Sequence, residues 1–315
     1  MFFKAGGCVT AALVVSLIIQ IHYAKHGYTS REPKIAFTCA QNFNFDICVM
    51  DGDGGNLIKL TAGPGFDTEP SWSPDGRRIA FSRNNSAICV MDSDGRNLTI
   101  LTGGRDPAWS PDGTKIAFTR FKALKKQVWL MDAYGGNEEQ LTDWGQNYSP
   151  AWSPYGVRIA FVNTDRQGGP EIYVMDRNGK NQERLTHDLE EKDNPSWSPD
   201  GQLIAYDSHR NREFQIFVVR TDGSGFTRLL SRQPPNNSSP AWSADGITIA
   251  YVAWDLNFST INLITRGGIH VKQLTDEGFY SADLDWFEPP AWSVSPAANF
   301  ATIWGEIKNP KSARR

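Results

Sequence analysis

The chain of 315 residues is poor in the side chains that build metal and nucleophilic centres: it has five histidines and four cysteines. No two cysteines form a C-x-x-C pair, so the usual ligand spacing of a zinc site is missing. His187 is followed by Asp188-Leu189-Glu190-Glu191 and so starts no H-E-x-x-H helix. Gly223-Ser224-Gly225 does not supply a G-x-S-x-G nucleophile elbow, and Gly179-Lys180 lacks the earlier glycine of a phosphate-binding loop. Asp51-x-Asp53-x-Gly55 has the opening of a calcium loop without its later bidentate Glu. Positive charge is not in excess either. The formal net charge is -3, which leaves no basic field to hold a nucleic-acid backbone. The expectation is a protein with no catalytic residues, no metal and no cofactor, and no nucleic-acid partner.

What the chain does have is turns and large anchors: 28 Gly, 18 Pro and 11 Trp. These fall in a repeat, the first thing to seek in a sequence of this kind. Pro70-Ser71-Trp72-Ser73-Pro74-Asp75-Gly76 returns as Pro107-Ala108-Trp109-Ser110-Pro111-Asp112-Gly113, then with Trp152, Trp197 and Trp242. Three further signatures keep step. An apolar triplet runs from Ile35-Ala36-Phe37 through Ile79, Ile116, Ile159 and Ile204 to Ile249-Ala250-Tyr251. A strand end, Met50-Asp51, recurs at Met91, Met131 and Met175 and degrades to Arg220-Thr221 and Thr265-Arg266. Leu60-Thr61 recurs at Leu101, Leu141, Leu185, Leu229 and Leu274.

Each unit therefore holds four short β-rich runs separated by turn residues, the pattern of successive antiparallel strands. In Ser-Pro-Asp-Gly, proline presets φ and glycine accepts φ > 0, which makes a tight hairpin turn between the first and second runs. Asp51-Gly52-Asp53-Gly54-Gly55-Asn56 and its copies do the same between the third and fourth. One such sheet cannot bury both faces, whereas six stacked about an axis cover one another. The predicted fold is all-β: a single six-bladed β-propeller of four-stranded antiparallel blades, closed by pairing of N- and C-terminal strands in one blade. Two residues compete to mark the closing strand. Trp286 lies 44 residues after Trp242 and Trp292 lies 50 after it, and the spacing favours Trp286. The six tryptophans are read as buried structural anchors.

The W-S-P-D-G, I-A-F, M-D-x-x-G and L-T set resembles the WD40-like (PD40) repeat of the TolB-type propellers, over about residues 34 to 290. The resemblance implies a propeller whose work is binding. It departs from the family's namesake in that only about 34 residues precede the first strand, where the namesake carries an α/β domain. The same repeats are similar to propellers attached to prolyl-oligopeptidase-type enzymes, whose chemistry sits on a separate hydrolase domain. Some metal-dependent polysaccharide lyases have related propellers with clustered axial histidines. Here His187, His209 and His270 fall in three units at non-equivalent places.

Outside the repeats, Ala5 to Ile21 is almost wholly apolar, at the lower edge of the length that spans a bilayer. Residues 1–24 are read as a signal peptide or N-terminal membrane anchor, 25–33 as a linker, 34–292 as the propeller and 293–315 as a tail. Location outside the cytoplasm follows from that reading, with membrane anchoring through residues 5–21 left open. Cys48 and Cys89 take the same place in two repeats and read as small buried strand residues. A Cys39–Cys48 cross-strand bridge is left open by the sequence.

If the four runs alternate in direction, both tight turns fall on one disc face and the longer loops on the other. Binding usually lives on such loops. The residue before each block proline should lie at the loop-face mouth of the axial channel: Glu69, Asp106, Ser149, Asn194 and Ser239, with Asp283 at the sixth place. They form a polar, partly acidic rim, suited either to satisfying nearby backbone N–H groups or to holding a cationic group, a peptide terminus or a metal ion. Phe43, Phe45, Phe66, Trp144, Tyr148, Trp254, Phe258, Phe279 and Tyr280 are placed on loops, where rings stack on sugars or anchor proteins. Arg120, Lys122, Lys125 and Lys126 read as a solvated basic loop tip. The function expected is a monomeric, non-catalytic scaffold for a protein or peptide. The alternatives are a glycan-binding propeller and, behind it, a hydrolase or lyase with an unrecognised site.

Overall fold

The computed structural model describes residues 32–287 apart from 42–43, 165–168, 189, 230–235, 255–257 and 277–279. The expected N-terminal segment, most of the linker, Trp292 and the tail lie outside the described residues. Six four-stranded antiparallel sheets account for every strand among the described residues, which hold no helix. Five blades are built in sequence order. Blade 2 opens with Asp67–Trp72, blade 3 with Arg105–Trp109, blade 4 with Gln146–Trp152, blade 5 with Glu191–Trp197 and blade 6 with Asn236–Trp242. Blade 1 joins the chain ends. Its inner strand, Tyr280–Phe287, pairs with Lys34–Gln41, and Trp286 stands opposite Ile35. Trp286 thus marks the closing strand.

The core is six cores. Each hydrophobic cluster lies between two neighbouring blades, and each holds or abuts one repeat tryptophan: Trp72, Trp109, Trp152, Trp197, Trp242 and Trp286. The apolar triplets explain why one blade serves two clusters. In Ile79-Ala80-Phe81 the pleat sends Ile79 and Phe81 toward blade 1 and Ala80 toward blade 3. No sheet could keep both faces dry alone.

Turns stack in the same cyclic order. In blade 2 the Asp75 carboxylate accepts from Ser73 Oγ at 2.6 Å and from the Arg77 N–H at 3.1 Å, and the Ser73 hydroxyl accepts from Arg78 N–H. Those donors hold Asp75 below the usual carboxylate range in spite of the opposing effect of burial. Gly76 has φ +67° and a Cβ there would meet the Phe287 ring at 2.4 Å, so both conformation and packing demand glycine. The Leu-Thr motif continues the ladder after the short outer strand. Thr61 Oγ1 accepts the Ile47 N–H, and Thr142, Thr186 and Thr275 repeat the bond in blades 3, 4 and 6. Cys39 and Cys48 form a disulfide between adjacent strands of blade 1, with Cα atoms 5.8 Å apart. Cys89, the repeat equivalent of Cys48, is a free buried thiol pushed up to about 11 by burial.

Candidate functional site

The first strand of each blade is its inner edge, and the six edges enclose an axial cavity of about 740 Å³. An edge strand has no further neighbour to receive its N–H groups, which is why proline is tolerated at Pro70, Pro107, Pro150, Pro195 and Pro240. The six residues expected at the rim, Glu69, Asp106, Ser149, Asn194, Ser239 and Asp283, all line this cavity. They share a feature that the sequence does not show. Each has a left-handed backbone, with φ between +49° and +56°, where the inner strand loses register with its neighbour. A non-glycine residue in that region is strained, and strain of this kind must be held by its surroundings.

A belt of hydrogen bonds holds it. Thr38 Oγ1 accepts the Glu69 N–H at 3.2 Å, and Glu69 Oε2 accepts the Asp106 N–H at 2.8 Å. Asp106 Oδ2 accepts the Ser149 N–H at 3.4 Å. Ser149 Oγ donates to Asp193 at 2.8 Å, and the same Asp193 oxygen accepts the Asn194 N–H at 2.8 Å. Asn194 Nδ2 donates to Asp207 at 2.9 Å, and Asp207 accepts the Ser239 N–H at 3.2 Å. Ser239 Oγ accepts the Asp283 N–H at 3.3 Å, and Thr38 donates to Asp283 at 2.9 Å, which closes the circuit through all six blades.

The belt is electrically uneven. Arg105 donates to Glu69 at 2.6 Å and to Asp106 at 3.0 Å, clamping that pair. Burial, together with repulsion from Asp106, raises Glu69 well above the usual carboxylate range. Asp106 is lowered although burial opposes it, because Glu69 hydrogen-bonds to it and Arg105 is close. Across the channel, among the described residues, no cation makes an ion pair with Asp193 or Asp207, which face each other in the register of blade 5. Burial pushes Asp193 up to about 6, and burial with repulsion from Asp193 pushes Asp207 up to about 7. Lys126 exerts a favourable field on Asp193 while its ammonium sits 4.3 Å from the Tyr148 ring centre. Deeper in the channel, Asp285 accepts the Trp72 N–H at 2.6 Å and is pushed up to about 6 by burial.

Five contributors, Thr38, Arg105, Asp193, Asp207 and Asp285, were not among the rim residues expected from sequence. One signal was available. The residue after the apolar triplet is polar at Thr38, Ser82, Thr119 and Asp207, and it sits beside the bulge. The aromatic expectation needs correction. Phe45, Tyr148, Trp254 and Tyr280 lie in strands rather than loops, because the strands extend further toward the loop face than their apolar runs. Phe66 and Trp144 do stand exposed on loops, and Phe43 and Phe279 lie outside the described residues. The basic loop tip is also more tied than expected. Arg120 is held by Glu138 and the Gly103 carbonyl. Among the described residues no three His, Cys, Asp or Glu side chains are arranged to hold a metal ion, and no histidine lines the channel.

Residues 82–295 match the family model described as the TolB beta propeller domain. The chain belongs to this TolB β-propeller family. Its similarity to the Tol-Pal system protein TolB of Bordetella pertussis is 47% identity over 38 residues, which is 12% of this chain and 9% of that protein. The TolB structure from Acinetobacter baumannii superposes with a TM-score of 0.70 at 21% identity, over 80% of this chain and 66% of that one. The fold extends to an oligogalacturonate lyase in complex with manganese, at a TM-score of 0.51 and 16% identity over 73% of this chain and 70% of that one. Likeness at such identity is a likeness of fold, and fold alone does not carry chemistry from the lyase to this TolB-family propeller.

Proposed function

We propose that this TolB-family propeller is a non-catalytic binding scaffold outside the cytoplasm, engaging a protein or peptide through its loop face and the mouth of the axial channel. The observation that carries the reading is the channel wall. Glu69, Asp106, Asp193, Asp283 and Asp285 line it against two cations, Arg105 and Lys126. This is a preorganised acidic concavity on a rigid frame, suited to a cationic side chain or a chain terminus. The Cys39–Cys48 disulfide supports an oxidising compartment. The relative in Bordetella pertussis is by name part of a Tol-Pal system, which supports a role within an assembly.

The test is affinity capture from an envelope extract with the full chain, beside a Glu69→Gln, Asp106→Asn double variant that keeps hydrogen-bonding shape and removes charge. A protein captured by the wild type and lost with the variant is the expected result. An identical captured set would remove the channel mouth from the site. Tight binding on a glycan array with no captured protein would favour the carbohydrate reading instead.

A further inference from the structure

The repeats supply their own control, because a residue that breaks a stabilising local rule in one copy stands out against the others. In blades 2, 3, 5 and 6 the first tight turn carries Asp75, Asp112, Asp200 and Asp245. Each accepts from the turn serine and from a backbone N–H two residues on. Blade 4 has Tyr155 in that place, so its turn lacks the carboxylate that would accept both bonds. The second tight turn follows the same logic. Asp53, Asp94, Asn178 and Asp222 accept a backbone N–H two residues on, and blade 3 has Tyr134 there. Both tyrosines project from the same disc face, 71% and 81% exposed, and Val157 beside Tyr155 is 57% exposed. Both exchanges forfeit the turn's carboxylate bonds, and Tyr134 recovers a stack on Arg78, 4.7 Å from its ring centre, while Tyr155 lies over Gly201 of the next blade. Exposed tyrosines on a rigid turn are what protein recognition uses.

The surrounding charge says what would settle there. Arg177 donates its N–H to the Val157 carbonyl, which places it against the blade 4 turn, and Lys180 follows on the same exposed turn. Neither makes an ion pair within 4 Å among the described residues. The counterpart of Arg177 in blade 6, Arg266, is ion-paired with Asp200 at 3.4 Å, whereas Arg177 acts on Asp112 of the blade 3 turn only through its field. We infer that the tight-turn face at blade 4 is a second docking surface, opposite the loop face, for an acidic segment of a protein partner that carries an aromatic or aliphatic side chain. Tyr155 and Val157 cover the apolar side chain, and Arg177 and Lys180 meet the carboxylates.

Fluorescence anisotropy of the full chain with a labelled Glu/Tyr copolymer, polyglutamate and heparin tests this. The copolymer is expected to bind more tightly than polyglutamate. Tyr155→Asp restores the repeat residue, so it should raise the melting temperature while weakening copolymer binding by about 30-fold, the scale of one hot spot. Arg177→Glu with Lys180→Glu should weaken it by a similar factor. The inference is overturned if the copolymer does not bind, if Tyr155→Asp binds it as the wild type does, or if Tyr155→Asp leaves the melting temperature unchanged. Preference for heparin would replace the protein segment with a generic polyanion. Loss of copolymer binding in the Glu69→Gln, Asp106→Asn variant would move the site to the channel, so the two readings fail separately.

Discussion

Mild acid should stabilise this propeller. Asp207 and Asp193 ionise near 7 and 6 in the folded chain, against 3.8 for a free aspartate. Below 3.8 both folded and unfolded chains are protonated, and the folded state bears no charge at these sites. Between about 4 and 7 the unfolded chain is already ionised while the folded pair still holds its protons, because ionising it would place two repelling charges in a buried site. Stability contributed by the pair is therefore fully present below 3.8, lost progressively up to about 7, and constant above that. One pKa unit is worth about 1.4 kcal/mol, and above pH 5 the pair spans about three units, two from Asp207 and one from Asp193, so the loss between pH 5 and 8 is on the order of 4 kcal/mol. For a domain of this size that is roughly 8–16 °C in Tm. The carboxylates held low, such as Asp75, Asp112 and Asp200, work in the opposite sense. Their contribution is lost only as pH falls below the ordinary carboxylate range, outside this window. Asp207→Asn keeps an oxygen to accept from Asn194 and the Ser239 N–H and removes the charge. Its Tm at pH 8 should rise, and its gain between pH 8 and 5 should fall to half or less of the wild-type gain. Differential scanning calorimetry across that range decides it. A wild-type Tm that is flat or falls from pH 8 to 5, or an Asp207→Asn chain with the full wild-type gradient, would refute the uncompensated-pair account.

Reduction of Cys39–Cys48, or the double Cys39→Ser, Cys48→Ser variant, closes no loop and should cost about 2–3 kcal/mol, read from urea denaturation with and without reductant. Gly76→Ala and Gly136→Ala separate packing from backbone strain. Both glycines have positive φ, but only at Gly76 would the new methyl strike a ring, whereas nothing lies within 4 Å at Gly136. Gly136→Ala should cost about 1 kcal/mol and Gly76→Ala roughly 2–4 kcal/mol; equal costs would mean that Phe287 yields freely. Ser149→Ala and Ser149→Gly both lose the bond to Asp193, but only glycine relaxes the φ of +50°. The glycine variant should be the more stable of the two by about 1 kcal/mol in the same denaturant assay.

Blade number, strand order and closure were legible because each rests on local chemistry that repeats. Trp-Ser-Pro-Asp-Gly dictates a turn wherever it occurs, and alternation in Ile-Ala-Phe dictates which side chains enter which cluster. Trp286 could be preferred to Trp292 for the same reason, since a ring of equal blades wants equal spacing. The site was legible only in outline. That Glu69 and its five counterparts converge follows from repeat geometry. Their left-handed backbone does not, because five of the six precede a proline, where extended structure is ordinarily preferred. Nor could sequence place Asp193 beside Asp207, since fourteen positions separate them and only the strand register brings them together. Phe45, Tyr148 and Trp254 read as loop residues because strand ends on the loop face are amphipathic and end without a turn signature.

The belt makes it possible to separate what the fold requires at the rim from what it does not. Every left-handed rim residue needs an acceptor for its N–H, or the strained position is left unsupported. A hydroxyl is enough. Thr38 serves the Glu69 N–H and Ser239 serves the Asp283 N–H, in blades as well formed as the rest. At the other links the acceptor is Glu69, Asp106, Asp193 or Asp207, and the Ser82 hydroxyl also accepts the Asp106 N–H beside Glu69. A carboxylate there brings burial and mutual repulsion that a serine or threonine would avoid. Arg105 relieves one pair, and no cation bonded to the second pair relieves it among the described residues. The negative charge is therefore surplus to the architecture and costs it stability near neutral pH. A cationic group entering the channel from the loop face would remove that cost, and its binding would be strongest in the pH range where the empty propeller is least stable.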